Sequence, residues 1–295
     1  MVALNLPHGG YEHFSNLRRR ELSFRWRYLG LYVAMVAAFV GLFFLVPLAG
    51  LALAITVAVA KGGLGGVSVL DATTGTGHLR TRPQRLLAAA VRGGAVMAVP
   101  IFAWPGTFSA FSSYMVSIFE PGAMAAAAPY FEVTRWLVGG GWALTALVHV
   151  GLGYARGGGP GWLADAGETA LLGAYFYVVP VVVAVGLYFP LWYSTRQVAR
   201  SVAIDDRRGT GGPDLLGFER PEHVTLAAGG LLLAGAILTV AIAAALFRFA
   251  PNPLGGAPTV VGAVAFWSVF ISIIALPHVV VGSLFDREQG IWFVP

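Results

Sequence analysis

Long apolar segments separated by short polar ones dominate this chain. Polar residues concentrate between the apolar runs, and each run is long enough to be considered as a membrane-spanning helix. The runs cover residues 28–60, 86–104, 107–130, 133–155, 168–193, 224–248 and 259–285. The pattern predicts an all-α, polytopic integral membrane protein.

Composition agrees with this fold class and removes several others. Hydrophobic residues make up 57% of the chain and charged residues 11%, with a mean hydropathy of +0.73. Soluble domains carry about 25% charged residues, so a soluble enzyme is excluded. The absence of cysteine removes disulfides, thiolate zinc sites and a cysteine nucleophile. The net charge of +5 comes from basic residues that flank apolar runs, which indicates topology and not a nucleic-acid partner.

Two of the runs are ambiguous, and the arginines favour one solution. Run 28–60 is about 50 Å long as a helix, so it is one long span or a hairpin that turns at Pro47. Run 107–130 contains Glu120-Pro121-Gly122, which suits a broken span or an external loop. Eight spans place sixteen basic residues inside and only Arg156 outside, whereas six spans place eleven inside and five outside. Eight spans are therefore predicted, with six or seven as alternatives. Arg92, near the end of a span, is expected to snorkel to the interface.

A comparison of the chain with itself predicts an internal duplication. Residues 43–47 and 176–180 share an aromatic-rich pattern that ends in proline, and a basic loop with similar polar residues follows each. The matching loop residues are Asp71, Gly75, Gly77 and Arg82 in the first copy and Asp205, Gly209, Gly211 and Arg220 in the second. If both loops lie inside, the repeats are parallel, and 107–130 must supply a fourth intervening span. Pro180 falls within a predicted span, so one long helix over 28–60 remains the alternative.

These patterns divide the chain into four parts with both termini in the cytoplasm. The parts are a basic N-terminal interfacial segment 1–27, a first membrane repeat 28–130 with inner loop 61–85, a second repeat 131–285 with inner loop 194–223, and a tail 286–295. The location expected is the cell membrane. The arginine cluster of residues 1–27 is expected to bind anionic lipid headgroups. Glycine-rich helix faces, as at Gly139 and Gly229, suit contacts with other protein subunits.

Ionisable residues inside the spans are the candidate functional groups. Glu120 at a Pro-Gly break is a candidate for cation or proton binding, with a solvent-exposed loop as the alternative. His149 and His278 are polar intramembrane candidates that are expected to bond neighbouring helices. In the eight-span arrangement they lie about 24 Å and about 10 Å from the inner ends of their helices, so one haem b cannot use both. No metal spacing is found, and no metal or other cofactor is predicted.

No catalytic constellation is evident, so the sequence does not predict an enzyme. The predicted function is that of a transporter or permease with Glu120 as its mid-membrane carboxylate. A non-catalytic membrane subunit or scaffold of a larger complex is the alternative, because polar loops are short and no buried charge pair is expected. A b-type haem redox subunit is the weaker alternative.

Overall fold

The computed structural model describes residues 21–205, 217, 220–285, 291 and 292, and all regular secondary structure in this part of the chain is helical. Its α-helices are α1 (Leu22–Leu45), α2 (Pro47–Thr73), α3 (Arg82–Ala103), α4 (Pro105–Ser117), α5 (Phe131–Ala155), α6 (Pro160–Val178), α7 (Val181–Leu187), α8 (Ser194–Asp205), α9 (Pro221–Phe249) and α10 (Thr259–Phe285). A π-helical segment, Tyr188–Tyr193, joins α7 to α8, and two short 3-10 turns, Ala123–Ala126 and Ala128–Tyr130, precede α5.

Within the described residues, six helices are long and apolar enough to cross a membrane. They are α1, α2, α3, the stretch Ala128–Ala155 that contains α5, α9, and Thr259–Gly282 within α10. The predicted all-helical, polytopic membrane protein is therefore confirmed at this level. The count of eight spans and the internal duplication are not established by it.

Run 28–60 is not one long helix. The helix is interrupted at Val46, and Pro47 begins α2. A proline is tolerated at this position, because the first N–H groups of a helix have no partner within it. The Phe43 ring lies over Gly50, where a Cβ atom would come within 2.9 Å of it. The helix α2 then continues to Thr73, so the first half of the predicted inner loop 61–85 is helical and only residues 74–81 lie between helices.

Run 107–130 does not form a span, and this prediction is wrong. Its helix, α4, has 13 residues and is about 20 Å long, too short to cross a bilayer. At one end of the neighbouring helices, Arg135 Nε donates to the Phe102 carbonyl at 3.2 Å. At the opposite end, Arg80 Nη2 donates to the Arg156 carbonyl at 2.7 Å. α3 and α5 are thus antiparallel neighbours, and the chain does not cross the membrane between them. A span between them would have put Arg80 and Arg156 at opposite ends of the bundle.

These two ends of the bundle are called the Arg80 end and the Trp104 end. Helix α6 runs between them in the same direction as α3. It begins beside the Arg80 end, where a Cβ on Gly161 would lie 2.6 Å from the Gly75 carbonyl oxygen. It finishes at the other end, where Trp104 Nε1 donates to the Tyr177 carbonyl at 3.0 Å. Helix α3 therefore packs against α2, α5 and α6, and it is the most enclosed of the six candidate spans.

The contact between α2 and α3 depends on two glycines. A Cβ atom on Gly63 would overlap the Ala89 carbonyl, and a Cβ atom on Gly93 would overlap the Val59 carbonyl. Backbones approach this closely only where small residues face each other, as is common between membrane helices. A separate apolar cluster joins α1, α2, α4, α10 and the end of α9, and Phe43, Val116 and Phe270 are fully buried in it.

Candidate functional site

A buried cluster of charged and polar side chains is centred on Asp165, in the second turn of α6. Arg92, from the middle of α3, donates through Nε and Nη2 to Asp165 Oδ1 at 3.0 and 2.8 Å. The other carboxylate oxygen, Oδ2, lies 2.8 Å from His78 Nε2 and 2.9 Å from His149 Nε2. The side chains of Arg92 and Asp165 are each 1% exposed. One carboxylate thus joins α3, α5, α6 and the 74–81 segment.

The segment that carries His78 is held in place by its neighbours. Gly75 has a φ of 82°, which ends α2 in a conformation that other residues rarely adopt. Arg85 bonds Asp71 and donates to Thr76 Oγ1 at 2.8 Å, which ties the segment to the first turn of α3. The matched loop residues Asp71 and Gly75 therefore have a local structural role beside the cluster.

A second carboxylate extends the cluster along α6. Glu168 Oε2 lies 2.8 Å from Arg92 Nη1, and Glu168 also pairs with Arg196 on α8. The side chain of Arg196 is 26% exposed, so the chain of alternating charges runs from the interior toward the surface. Buried charges are tolerated in an apolar environment only when they are paired in this way.

A small cavity adjoins Glu168 and Arg92. It lies between α2, α3, α6 and the π-helical segment with α8, and its walls include Gly62, Gly66, Tyr188, Trp192, Arg196 and Gln197. Gln197 is 5% exposed, and its Nε2 has no hydrogen-bond partner among the residues that the structure describes. A π-helical turn displaces side chains from the regular helical positions and is frequent at functional sites.

His78, His149 and Asp165 have the residue types of a two-histidine, one-carboxylate metal site. Their arrangement does not fit a metal ion. Both ring Nε2 atoms face the same carboxylate oxygen at hydrogen-bond distance, and Arg92 occupies the other oxygen. In the described part of the chain, no group of three or more His, Asp or Glu side chains is arranged to hold a metal. The cluster is an ion-pair and hydrogen-bond network.

The structure separates the predicted intramembrane residues. Glu120 is exposed in the turn after α4 and lies outside the cluster. His149 belongs to the cluster, whereas His278 is buried in α10, which packs against α1, α2 and α4. The depth argument against a shared haem is wrong, because α5 runs toward the Arg80 end and His149 lies about 9 Å from its end there. The absence of haem b stays a prediction.

The remaining residues of the predicted repeat motif lie at helix ends. Gly77, Arg82 and Arg220 are exposed, the last two where α3 and α9 begin. Gly209 and Gly211 lie outside the described residues, as does the side chain of Asp205 at the end of α8. The members of this motif that the structure describes do not meet in a binding site.

Sequence reasoning missed Arg92, Asp165, Glu168 and His78. The expectation that Arg92 snorkels is wrong, as is the expectation of no buried charge pair, because α3 is enclosed by other helices at that depth. One available signal was the spacing of Asp165 and Glu168, three residues apart and therefore on one face of a helix. The other was an arginine ten residues into an apolar helix, which needs a buried partner.

The chain is similar to a known family over almost its whole length. The family model described as "Beta-carotene 15,15'-dioxygenase" matches residues 1–286. The proteins named "Probable beta-carotene 15,15'-dioxygenase Brp" from Halobacterium salinarum strains R1 and NRC-1 are each 58% identical over 301 residues, which cover 100% of this chain and 84% of each relative. "Probable beta-carotene 15,15'-dioxygenase Blh" from strain NRC-1 is 28% identical over 304 residues, or 98% of this chain and 83% of that protein. No solved structure matches the chain.

These similarities contradict the predicted function. A transporter that uses Glu120 is wrong, and so is the alternative of a non-catalytic subunit or scaffold, because the full-length relatives are named as oxygenases. The redox-subunit alternative, which depended on two membrane histidines, is wrong for the same reason. The physical reason is that composition and hydropathy report the lipid environment of a membrane protein. Its chemistry depends on a few side chains, which these averages do not identify.

Proposed function

The chain belongs to the beta-carotene 15,15'-dioxygenase family, and from this premise we propose that it cleaves β-carotene to retinal. In this reaction the central C15=C15' double bond breaks, and each of its two carbons receives one atom of O2. The hydrocarbon is oxidised, O2 is reduced, and the two products are molecules of the aldehyde retinal. No other electron donor is needed for the balance.

The observation that carries the proposal is 58% identity along the entire chain. The membrane helices support it, because β-carotene is an apolar hydrocarbon that dissolves in the bilayer core. The substrate can then reach the protein laterally, without passing through water.

In this proposal the central double bond is cleaved beside the Asp165 cluster and the cavity at Glu168, because the cavity itself is too small to hold the carotenoid. The cluster holds α3, α6 and α8 around the cavity through charges that pair with one another. Oxygen chemistry is commonly supplied by a haem, a flavin, copper or non-haem iron. The described cluster residues do not fit a metal ion in their present arrangement, so their role in the proposal is to position helices and to exclude water.

The proposed topology still has eight membrane crossings, but the segments that form them differ from those in the sequence prediction. Helix α6 and the continuous helical stretch 181–205 join the six candidate spans, and 107–130 leaves the set. Contacts of α6 at both ends of the bundle support its crossing. Arg196 of α8 pairs with Glu168, which fits an α8 that returns toward the Arg80 end. The arginines of that end, such as Arg80, Arg85 and Arg156, support a cytoplasmic location for it.

The parallel duplication is proposed for the same eight crossings. The first repeat comprises α1, α2, α3 and α5, and the second comprises α6, the stretch 181–205, α9 and α10. Pro47 and Pro180 support this pairing, because each follows a break between two helices. Arg82 with Pro83 and Arg220 with Pro221 likewise stand at the starts of α3 and α9. The cell membrane, anionic lipids at residues 1–27 and subunit contacts through glycine-rich faces also remain proposals.

Expression in bacterial cells that accumulate β-carotene tests the activity. The expected result is loss of β-carotene and appearance of retinal in cell extracts separated by chromatography. Cells with the empty vector control for spontaneous oxidation, and a tagged protein detected in the membrane fraction controls for expression. Unchanged β-carotene in cells with ample folded membrane protein would overturn the proposal.

A further inference from the structure

The cavity beside Glu168 is lined by a side chain whose hydrogen-bond donor no described residue satisfies. Gln197 lines this space from α8, its Nε2 has no described partner, and the side chain is almost completely buried. The carboxylate of Glu168 is already committed to Arg92 and Arg196. Because unmatched buried donors are costly, the amide of Gln197 is expected to serve a ligand that brings an acceptor.

Glycines of α2 shape the space in front of this amide. A Cβ atom on Gly65 would lie 2.6 Å from Tyr193 Oη and 2.7 Å from Gln197 Nε2. Gly62 and Gly66 form part of the wall, so the helix presents backbone at these two positions and a side chain at Val69. The space that remains holds a group about the size of one water molecule. It fits the polar end of a ligand and is too small for a whole carotenoid.

The charges and walls of the cavity define the chemistry of that ligand. Arg92 and Arg196 are balanced by Asp165 and Glu168, so the ion pairs at the cavity carry no net charge. The ammonium group of Lys61 lies 5.5 Å from the centre of the Tyr193 ring, which lines the cavity. Aromatic and aliphatic side chains complete the walls, and Trp192 at the mouth is partly exposed. A neutral acceptor atom on an apolar body meets these conditions.

We propose that this cavity binds the aldehyde oxygen of retinal, with Gln197 Nε2 donating the hydrogen bond and the polyene leaving through the mouth beside Trp192. The inference rests on the proposed function, whose product is an aldehyde. β-Carotene is a hydrocarbon and offers no acceptor, so the amide distinguishes product from substrate. An oriented donor that acts only once a carbonyl oxygen has formed favours the later stages of the reaction.

Binding measurements on the purified full chain in lipid nanodiscs test the proposal without any turnover. The probes are all-trans-retinal and its hydrocarbon analogue, in which a methyl group replaces the aldehyde, and the readout is quenching of tryptophan fluorescence. Wild-type protein is expected to prefer retinal by about 3- to 10-fold, the factor for one net neutral hydrogen bond. Gln197→Leu is expected to bind both probes equally.

Thr169→Val is the matched control. Thr169 is buried on α6, and its hydroxyl also has no partner among the described residues, but it does not line the cavity. Its substitution is expected to leave the preference for retinal unchanged. If Gln197→Leu does not fold, the infrared C=O stretch of bound retinal in wild-type protein decides instead. It is expected at a lower frequency than in a hydrocarbon solvent, as a hydrogen-bonded carbonyl requires.

Equal binding of the two probes by the wild type, a preference that survives in Gln197→Leu, or an unshifted C=O stretch overturns the subsite. A kinetic measurement then separates this inference from the activity itself. Gln197→Leu is expected to lower kcat for β-carotene with little change in KM, because the hydrocarbon substrate makes no bond to the amide. Selective retinal binding without cleavage would retain the subsite and reject the proposed activity, and cleavage without selective binding would do the reverse.

Discussion

Helices α3 and α9 are both candidate membrane spans, and they use their residues in opposite ways. In α3, 61% of the apolar span is buried inside the protein, whereas in α9 only 6% is buried. Yet α9 is the more apolar of the two, and α3 carries Arg92. In a bilayer, apolar side chains gain little by turning toward other helices, because lipid is as apolar as they are. The polar residues are the ones that need protein around them.

Glycines show the same difference. Gly63 of α2 and Gly93 of α3 stand where the two backbones touch, and a side chain at either position would overlap a carbonyl group. Gly229, Gly230 and Gly235 of α9 have open space beside them among the described residues. The same residue type therefore controls helix approach in one region and has no packing role within the described chain in the other.

The largest expected effect is at the centre of the buried cluster. Asp165→Ala leaves Arg92 without one of its two carboxylate partners and removes the shared partner of His78 and His149. Breaking a buried ion pair costs about 3–5 kcal/mol, so the melting temperature in detergent should fall steeply. Leu232→Ala on α9, at a side chain that is 64% exposed, should change it little. Similar losses in the two variants would show that the enclosed region around α3 and the exposed helix α9 do not differ as described.

The second prediction compares α3 and α9 by adding a single methyl group to each helix. Gly93→Ala forces α3 away from α2 and should destabilise the protein by at least about 1–3 kcal/mol, because the atom that it meets is backbone and cannot rotate aside. Gly230→Ala on α9 meets nothing and should be neutral or slightly stabilising. Thermal unfolding of both variants measures the difference. A tolerated Gly93→Ala would contradict the close α2–α3 contact.

A smaller effect is expected where the charge network reaches the surface. Arg196→Gln removes a partner of Glu168, but Arg196 is partly exposed and Glu168 keeps Arg92. Screening by solvent limits such a pair to about 1 kcal/mol or less. Arg92→Gln, by comparison, uncovers two buried carboxylates and should cost several times more. Equal melting temperatures for the two variants would mean that the stability lost does not depend on how deeply the arginine is buried.

The smallest effect is expected at Glu120. Its side chain is exposed in a turn, and exposed substitutions away from special contacts change stability by about 0.5 kcal/mol or less. Glu120→Gln should therefore leave both melting temperature and retinal formation unchanged. Loss of activity in this variant would show that the turn after α4 takes part in the reaction.

Hydropathy predicted the fold class, because the bilayer acts on the average polarity of long segments. Runs 86–104 and 224–248 correspond to α3 and α9, which begin a few residues earlier at Arg82 and Pro221, where proline suits the first turn. Hydropathy failed for 107–130, since apolar length cannot distinguish a span from a short helix with two 3-10 turns packed against the bundle. The contact of Arg80 with Arg156, 76 residues apart, resolves that ambiguity, and only tertiary structure provides it.

The candidate site was harder to anticipate than the fold. Its members come from four separate parts of the chain, and His78 and Asp165 lie in segments that the hydropathy profile assigns to loops. His149 was predicted as a polar intramembrane candidate, but its partner Asp165 was not predicted. Gln197 has no distinguishing sequence context, and only its burial beside Gly65 draws attention to it.

The most direct test of the central claim is the fate of labelled oxygen. Purified protein in nanodiscs is supplied with β-carotene and 18O2, and the products are reduced to alcohols at once so that the label cannot exchange with water. The account predicts two molecules of retinoid for each β-carotene consumed, each with one labelled oxygen atom. Products cleaved away from the central bond, or retinoid that takes its oxygen from water, would contradict it.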